Sequence, residues 1–173
     1  MKKGINMNVD FRFATAEDTA LILEFIHKFD QFQHNMDTVS ATEELLKKWV
    51  FDEGKAEALF ALDGTKEIGF ALCNHSFSAH QGKPALFLEC IFVEEAYRGQ
   101  GVGAALMRKI AQTCVERDWV RVECNSPDWN AASVKFYNHL GFEEMNGWTV
   151  YRIDGEALDA LANGKKPDCN EEI

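Results

Sequence analysis

The stretch that most limits what this chain can become is residues 85–104. Ala85-Leu86-Phe87-Leu88-Glu89-Cys90-Ile91-Phe92-Val93 is a nine-residue, mostly apolar run. Such a run fits a central strand covered on both faces. Glu94-Glu95-Ala96-Tyr97-Arg98-Gly99-Gln100-Gly101-Val102-Gly103-Ala104 follows, and Leu106, Met107, Ile110, Ala111, Cys114 and Val115 then recur at helical spacing. The order is strand, glycine-rich turn, helix. Glycines let the backbone bend and approach a ligand, and the new helix contributes unpaired N–H groups and the positive end of its dipole. Together they make an anion cradle suited to a pyrophosphate, to which Arg98 can add a charge-assisted contact. The alternative is that the glycines provide only a tight connection.

Glu89 is the one charged residue in the apolar run. An unpaired carboxylate is expensive to bury, so its place needs a reason. Either it faces a water-filled cleft or pairs with a basic residue, or it is tuned for proton transfer.

The rest of the chain alternates strands and helices. Val9–Phe13 reads as a strand, and Thr15 with Asp18 forms a near capping box that opens a helix bearing Leu21, Ile22, Phe25, Ile26 and Phe29. Ser40 with Glu43 predicts a second box, ahead of a helix with Leu45, Leu46, Trp49 and Val50. Residues 56–62 and 68–74 read as a hairpin around Asp63-Gly64, and residues 75–84 as a polar loop. Beyond the central helix, strands are expected over 119–125 and 148–153, with short helices over 131–140 and 155–162. Gly141 is placed to cap the first of these. The 173 residues fit one α+β domain, expected over residues 1–162, with 163–173 as a polar, disordered tail.

Acidic residues exceed basic ones to give a net charge of −10, which disfavours nucleic-acid partners and would attract cationic small molecules such as amines. No stretch has the roughly 18 apolar residues of a membrane span, and the first residues carry no apolar run of a secretory leader. Five cysteines, odd in number and without a C-x-x-C pair, suggest reduced thiols in a cytoplasmic protein. The five histidines lack H-x-x-x-H spacing, so no metal site is expected.

Gly99-x-Gly101-x-x-Ala104 with Glu123 also fits a loose dinucleotide fingerprint. A nucleotide-binding sheet of that kind needs βαβ units after the fingerprint, and the remaining residues do not supply them. A better match is Arg98-x-x-Gly101-x-Gly103, which resembles the acetyl-CoA signature of the GNAT N-acetyltransferase superfamily. The block from Asn130 to Phe142, containing Ser133, Phe136, Tyr137 and Gly141, is similar to that family's second motif. Leu88-Glu89, Gly147-Trp148-x-x-Tyr151-x-Ile153-Asp154 and the opening Phe13–Asp18 resemble the spermidine/spermine (diamine) branch, so the likeness spans residues 11 to about 161.

The resemblance implies a GNAT-like fold: a mixed, mostly antiparallel sheet splayed in its middle, with flanking helices. It implies acetyl-CoA as co-substrate, its pyrophosphate on the N–H groups of Arg98, Gly99, Gln100, Gly101, Val102, Gly103 and on to Ala104. The pantetheine arm would run like an added strand along Ile91, Phe92 and Val93. Asn130 and Ser133 would hold it from the other side. An alkyl ammonium must lose a proton before it can attack, and Glu89 stands where the base would be. Tyr137 matches the family's general acid, although an amphipathic helix would also bury such a ring. Trp148 either joins the core or lines an amine channel. Phe32, Gln33 and Cys90 would border the amine, with Asp30, Gln31 and Asp37 near the entrance. Where the polyamine branch carries acids, this chain has Cys90 and Gln33, which puts dication recognition in question. The expectation is direct acetyl transfer to a primary amine of a small molecule, a polyamine or a lysine-like amine, by a homodimer. The alternatives are a non-catalytic acyl-CoA-binding module and a protein or peptide N-acetyltransferase.

Overall fold

A computed structural model of the protein describes residues 9–33 and 39–165. They fall into two compact units that divide between Ala131 and Ala132. Asp37 and residues 166–173 of the expected tail lie outside the described residues.

The first unit is built on a five-stranded sheet in sequence order: β1 (Asp10–Phe13), β2 (Ala56–Asp63), β3 (Lys66–Ser78), β4 (Lys83–Val93) and β5 (Val122–Cys124). β1 to β4 pair antiparallel, and β4 pairs parallel with β5. This is the mixed, mostly antiparallel sheet that the resemblance implied. β5 meets β4 only over Leu86–Leu88, and β4 runs on to Val93. The sheet therefore parts beside Glu89.

Helices cover both faces. α1 (Thr19–Phe32) and α2 (Glu43–Leu46, continued by a π-helical segment Lys47–Asp52) pack on one face. Ile22, Phe25, Leu46, Val50, Ala58, Phe60, Phe70, Cys90 and Phe92 form that core. α3 (Val102–Glu116) lies on the other face. Gly69 lets it come close: a Cβ there would sit 3.0 Å from Leu106 Cδ1 and 3.3 Å from the Phe92 carbonyl oxygen.

Local signals place several element ends. Asp18 accepts from the Thr15 N–H at 2.7 Å and from its hydroxyl at 3.0 Å, capping a 3-10 turn that leads into α1. Arg12 donates twice to Asp18, at 2.9 Å, and once to Glu67, at 2.7 Å. The Arg12 hydrogen bonds lower the Asp18 pKa to about 2. The cap of α2 is Thr42, whose Oγ1 accepts from the Leu45 N–H, and not the expected Ser40.

The expected polar loop over 75–84 is mostly strand. His75, Ser76, Phe77 and Ser78 pair with Leu86, Ala85, Pro84 and Lys83. Ladder hydrogen bonds outweigh the polar composition that suggested a loop. The expected strand over 119–125 shrinks to Val122–Cys124.

The second unit holds α4 (Ala131–His139, its first residue at the boundary) and α5 (Gly155–Ala162). Gly141, with φ +87°, lies just past α4, where the Phe142 N–H returns to the Tyr137 carbonyl. The strand expected over 148–153 is not present: that segment has no ladder partner, which period-2 alternation alone cannot supply. Among the described residues, no helix is long and apolar enough to cross a membrane.

Candidate active site

The geometry around Glu89 follows from one irregularity in strand pairing. The Leu86 N–H donates to the Arg121 carbonyl, toward β5, at 3.0 Å. The Glu94 N–H donates to the Ile68 carbonyl, toward β3, also at 3.0 Å. On a regular strand, residues an even number apart present their N–H groups to the same side. Here they face opposite sides, so the strand must change phase between them. The change lies where the ladder steps from Leu72↔Cys90 to Cys73↔Leu88, leaving Glu89 as an extra, bulged residue.

The bulge has two consequences. Beyond it, the alternation turns the main-chain groups of Ile91 and Val93 to the edge that β5 no longer covers, while Phe92 faces its partner Phe70 on β3. Ile91 and Val93 can thus take an added strand, whereas Phe92 serves the core, its ring 6.1 Å from Phe25. The bulge also sets the Glu89 side chain in the open, next to the buried Cys90. Asn74 Nδ2 donates to Glu89 Oε1 at 2.5 Å. None of the ion pairs among the described residues involves Glu89. Of the explanations open for a carboxylate in this strand, pairing with a basic residue is therefore excluded among these residues. Burial pushes the Cys90 thiol pKa well up, so it stays neutral.

At the C-terminal end of β4 a 3-10 turn, Glu95–Tyr97, leads to the glycine bend. Gly99 (φ +73°) and Gly101 (φ +88°) take up left-handed conformations, and a Cβ on either would meet nothing within 4 Å. The bend is thus open on its outer side. Gly101 caps α3, and the first intrahelical hydrogen bond returns from Ala105 to its carbonyl. The N–H groups of the first turn, including Gly103 and Ala104, have no intrahelical acceptor. Val102 is buried against the sheet and anchors the helix start. Gln100 folds back, Nε2 donating to the Ala96 carbonyl at 2.7 Å. An open bend of main-chain donors at a long helix's positive end fits a diphosphate.

Arg98 ties this bend to the opposite helix layer. Its Nε donates to the Val93 carbonyl at 2.8 Å. Its guanidinium carbon lies 4.7 Å from the Phe32 ring centre and 5.1 Å from that of Phe92. Phe32, partly exposed at the end of α1, thus stands on the Phe92 face of the sheet, and Gln33 is the C-cap that follows it. A small cavity lined by Leu59, Cys73, Leu86, Ile110 and Thr113 lies under α3, on the other face.

Asn130, the last polar residue before α4, is buried, and its N–H donates to the Pro127 carbonyl at 2.9 Å. In the second unit, Ser133 and Tyr137 are half-buried on α4. The Tyr137 ring packs at 5.2 Å from Phe136 and 5.4 Å from Phe142. Trp148 is 78% exposed.

Two features escaped the sequence: Asn74 as partner of Glu89, and the aromatic seat of Arg98. A polar residue at the end of an otherwise apolar strand was the available signal for Asn74. Nothing local marks the seat, because Phe32 and Phe92 belong to elements far apart in the chain.

The sequence matches the profile of the acetyltransferase (GNAT) family over residues 22–142. It is 30% identical, over 166 residues, to the thialysine N-epsilon-acetyltransferase of Bos taurus, covering 89% of this chain and 97% of that protein. It is 27% identical, over 167 residues, to the spermidine/spermine N(1)-acetyltransferase-like protein 1 of Homo sapiens, covering 87% of this chain and 23% of that one. Among solved structures, an integron cassette protein from the mobile metagenome of V. cholerae superposes with a TM-score of 0.74 at 24% identity, covering 91% of this chain and 99% of that one. That likeness concerns the fold.

Proposed function

Since this chain belongs to the acetyltransferase (GNAT) family, we propose that it moves the acetyl group of acetyl-CoA directly to a primary amine of a small molecule. The observation that carries the proposal is the bulge in β4. It sets a carboxylate with no basic partner among the described residues beside a strand edge that β5 leaves uncovered and that leads into an open glycine bend.

Residues 98–104 would hold the diphosphate, and the main chain of Ile91 and Val93 the pantetheine arm. Asn130 and Ser133 would support the coenzyme. Glu89 takes a proton from the substrate ammonium, directly or through one water, and frees the nitrogen lone pair. The nitrogen bonds to the acetyl carbonyl carbon as the C–S bond breaks. Of the two protons the nitrogen gives up, one leaves through Glu89 to solvent. The other ends on the coenzyme sulfur, relayed by the Tyr137 hydroxyl. Main-chain N–H groups along the open edge of β4 are suited to the carbonyl oxygen as charge gathers on it.

For the acceptor we favour a lysine-like side-chain amine. Cys90, buried and neutral, stands directly beside Glu89, and Gln33 ends α1 without charge. Where the polyamine branch carries acids beside Glu89 and at the end of α1, this chain offers neither. The likeness to the thialysine enzyme agrees with this choice. Phe32 would bound the alkyl chain; for Trp148 that role is implied by the family resemblance. The acetyltransferase domain is taken as residues 1–162, in the cytoplasm and as a homodimer. Support for the dimer comes from the second unit, where Met145, Trp148, Val150 and Tyr151 are each more than two-thirds exposed. Light scattering is expected to give twice the 19.6 kDa chain mass; a single-chain mass refutes the dimer.

Thiol release from acetyl-CoA over a panel of thialysine, lysine, ornithine, spermidine and a peptide amine tests the function. Release is expected with the amino-acid amines in preference to spermidine. Tight coenzyme binding without release on any amine would leave a non-catalytic binding module. In the same assay Tyr137→Phe is expected to lower kcat about 10²-fold with acetyl-CoA affinity kept, the size of a general-acid contribution. Unchanged turnover removes Tyr137 from the chemistry.

A further inference from the structure

We propose that Asn74 is a positioning residue for Glu89; the proposal rests on Glu89 being the base. A base acts only when its oxygen lies within hydrogen-bond reach of the proton, and a misplacement of about 1 Å can cost on the order of 10²-fold. Glu89 has little to hold it. It is exposed, it sits on an irregular turn of strand, and none of the ion pairs among the described residues fixes its carboxylate.

Asn74 supplies the missing restraint from the neighbouring strand. It pairs with Phe87, just before the bulge, and its Nδ2 donates to Glu89 Oε1 at 2.5 Å. Asn74 is itself half-buried in β3, so its own freedom is small. An amide NH₂ suits the task. It donates without carrying charge, so it orients one carboxylate oxygen without repelling an incoming ammonium as a lysine or arginine would. Oε1 is held and Oε2 is left to receive the proton. The bulge and the amide thus form one device: the irregularity turns Glu89 out of the ladder, and the residue across the irregularity fixes where it points.

Two variants test this. Asn74→Asp keeps shape but removes the donor; Asn74→Leu removes all polarity. Each is expected to lower kcat about 10- to 100-fold, with the dissociation constant for acetyl-CoA unchanged. The deciding measurement is the double-mutant cycle with Glu89→Gln. A residue that acts only through the carboxylate's proton transfer costs nothing further once that transfer is gone. Asn74→Leu is therefore expected to leave the residual kcat of Glu89→Gln unchanged within about twofold. A merely structural role would cost as much in the second background as in the first, and that result overturns the proposal. So does normal turnover in both single variants. If Glu89→Gln itself turns over normally, the base assignment fails first, a result distinct from failure of Asn74 alone.

Discussion

Glu89→Gln is expected to lower kcat for amine acetylation by about 10²- to 10⁴-fold, the range a well-placed general base contributes. The substitution is nearly isosteric, and the introduced amide oxygen can still accept from Asn74, so the bulge should survive. Coenzyme binding should also survive, because the diphosphate is assigned to main-chain N–H groups at residues 98–104 and not to side chains of β4. A second signature separates loss of a base from loss of packing. Without Glu89 the reaction depends on amine already neutral in solution. An alkyl ammonium titrates near pH 10, so below that its neutral fraction grows about tenfold for each unit the pH rises. The residual kcat/KM of the variant is therefore expected to climb about tenfold per unit between pH 7 and 9. Initial-rate thiol release, with calorimetry for the coenzyme, makes the measurement. An undiminished kcat would remove Glu89 from the mechanism.

Phe25→Ala should produce the largest loss of stability. Phe25 is 1% exposed and joins α1 to three strands, its ring centre 5.4 Å from Phe70, 5.8 Å from Phe60 and 6.1 Å from Phe92. Truncating a buried Phe costs about 3–5 kcal/mol, from lost transfer energy plus the cavity left behind. That is a large part of the 5–15 kcal/mol typical of a domain, and corresponds to a drop in Tm of roughly 6–20 °C. Phe25→Leu, which keeps most of the volume, is expected to lose less than half as much. The consequence reaches the site. α1 carries Phe32, proposed to bound the alkyl chain of the amine, so a loosened α1 should raise KM for the amine below the melting transition. A Tm within 2 °C of the parent would mean that the core is held by other contacts.

Much of the fold was legible because its signals are local. Helical periodicity in residues 19–32 and 102–116 follows from which side chains share a face, and α1 and α3 form there. The Asp63-Gly64 turn marked the β2–β3 hairpin, and the Thr15–Asp18 pair marked the approach to α1. Three elements went astray for a shared reason. The polar residues 75–78 became strand, residues 119–121 did not, and residues 148–153 formed none. In each case the outcome depends on a pairing partner remote in sequence, which alternation and polarity do not report.

The candidate site divides along the same line. The glycine bend and the helix behind it were set by the chain itself, because left-handed backbone conformations and unpaired N–H groups at a helix start are properties of a few neighbouring residues. Sequence also singled out Glu89, since an isolated charge in an apolar run demands an explanation. Only the tertiary structure decided what Glu89 can do. One phase slip between β3 and β4 turns it outward, supplies Asn74 as its partner, and frees the edge at Ile91 and Val93 where β5 stops. Strand register is a collective choice of two segments far apart in the chain, and no single stretch of residues carries it.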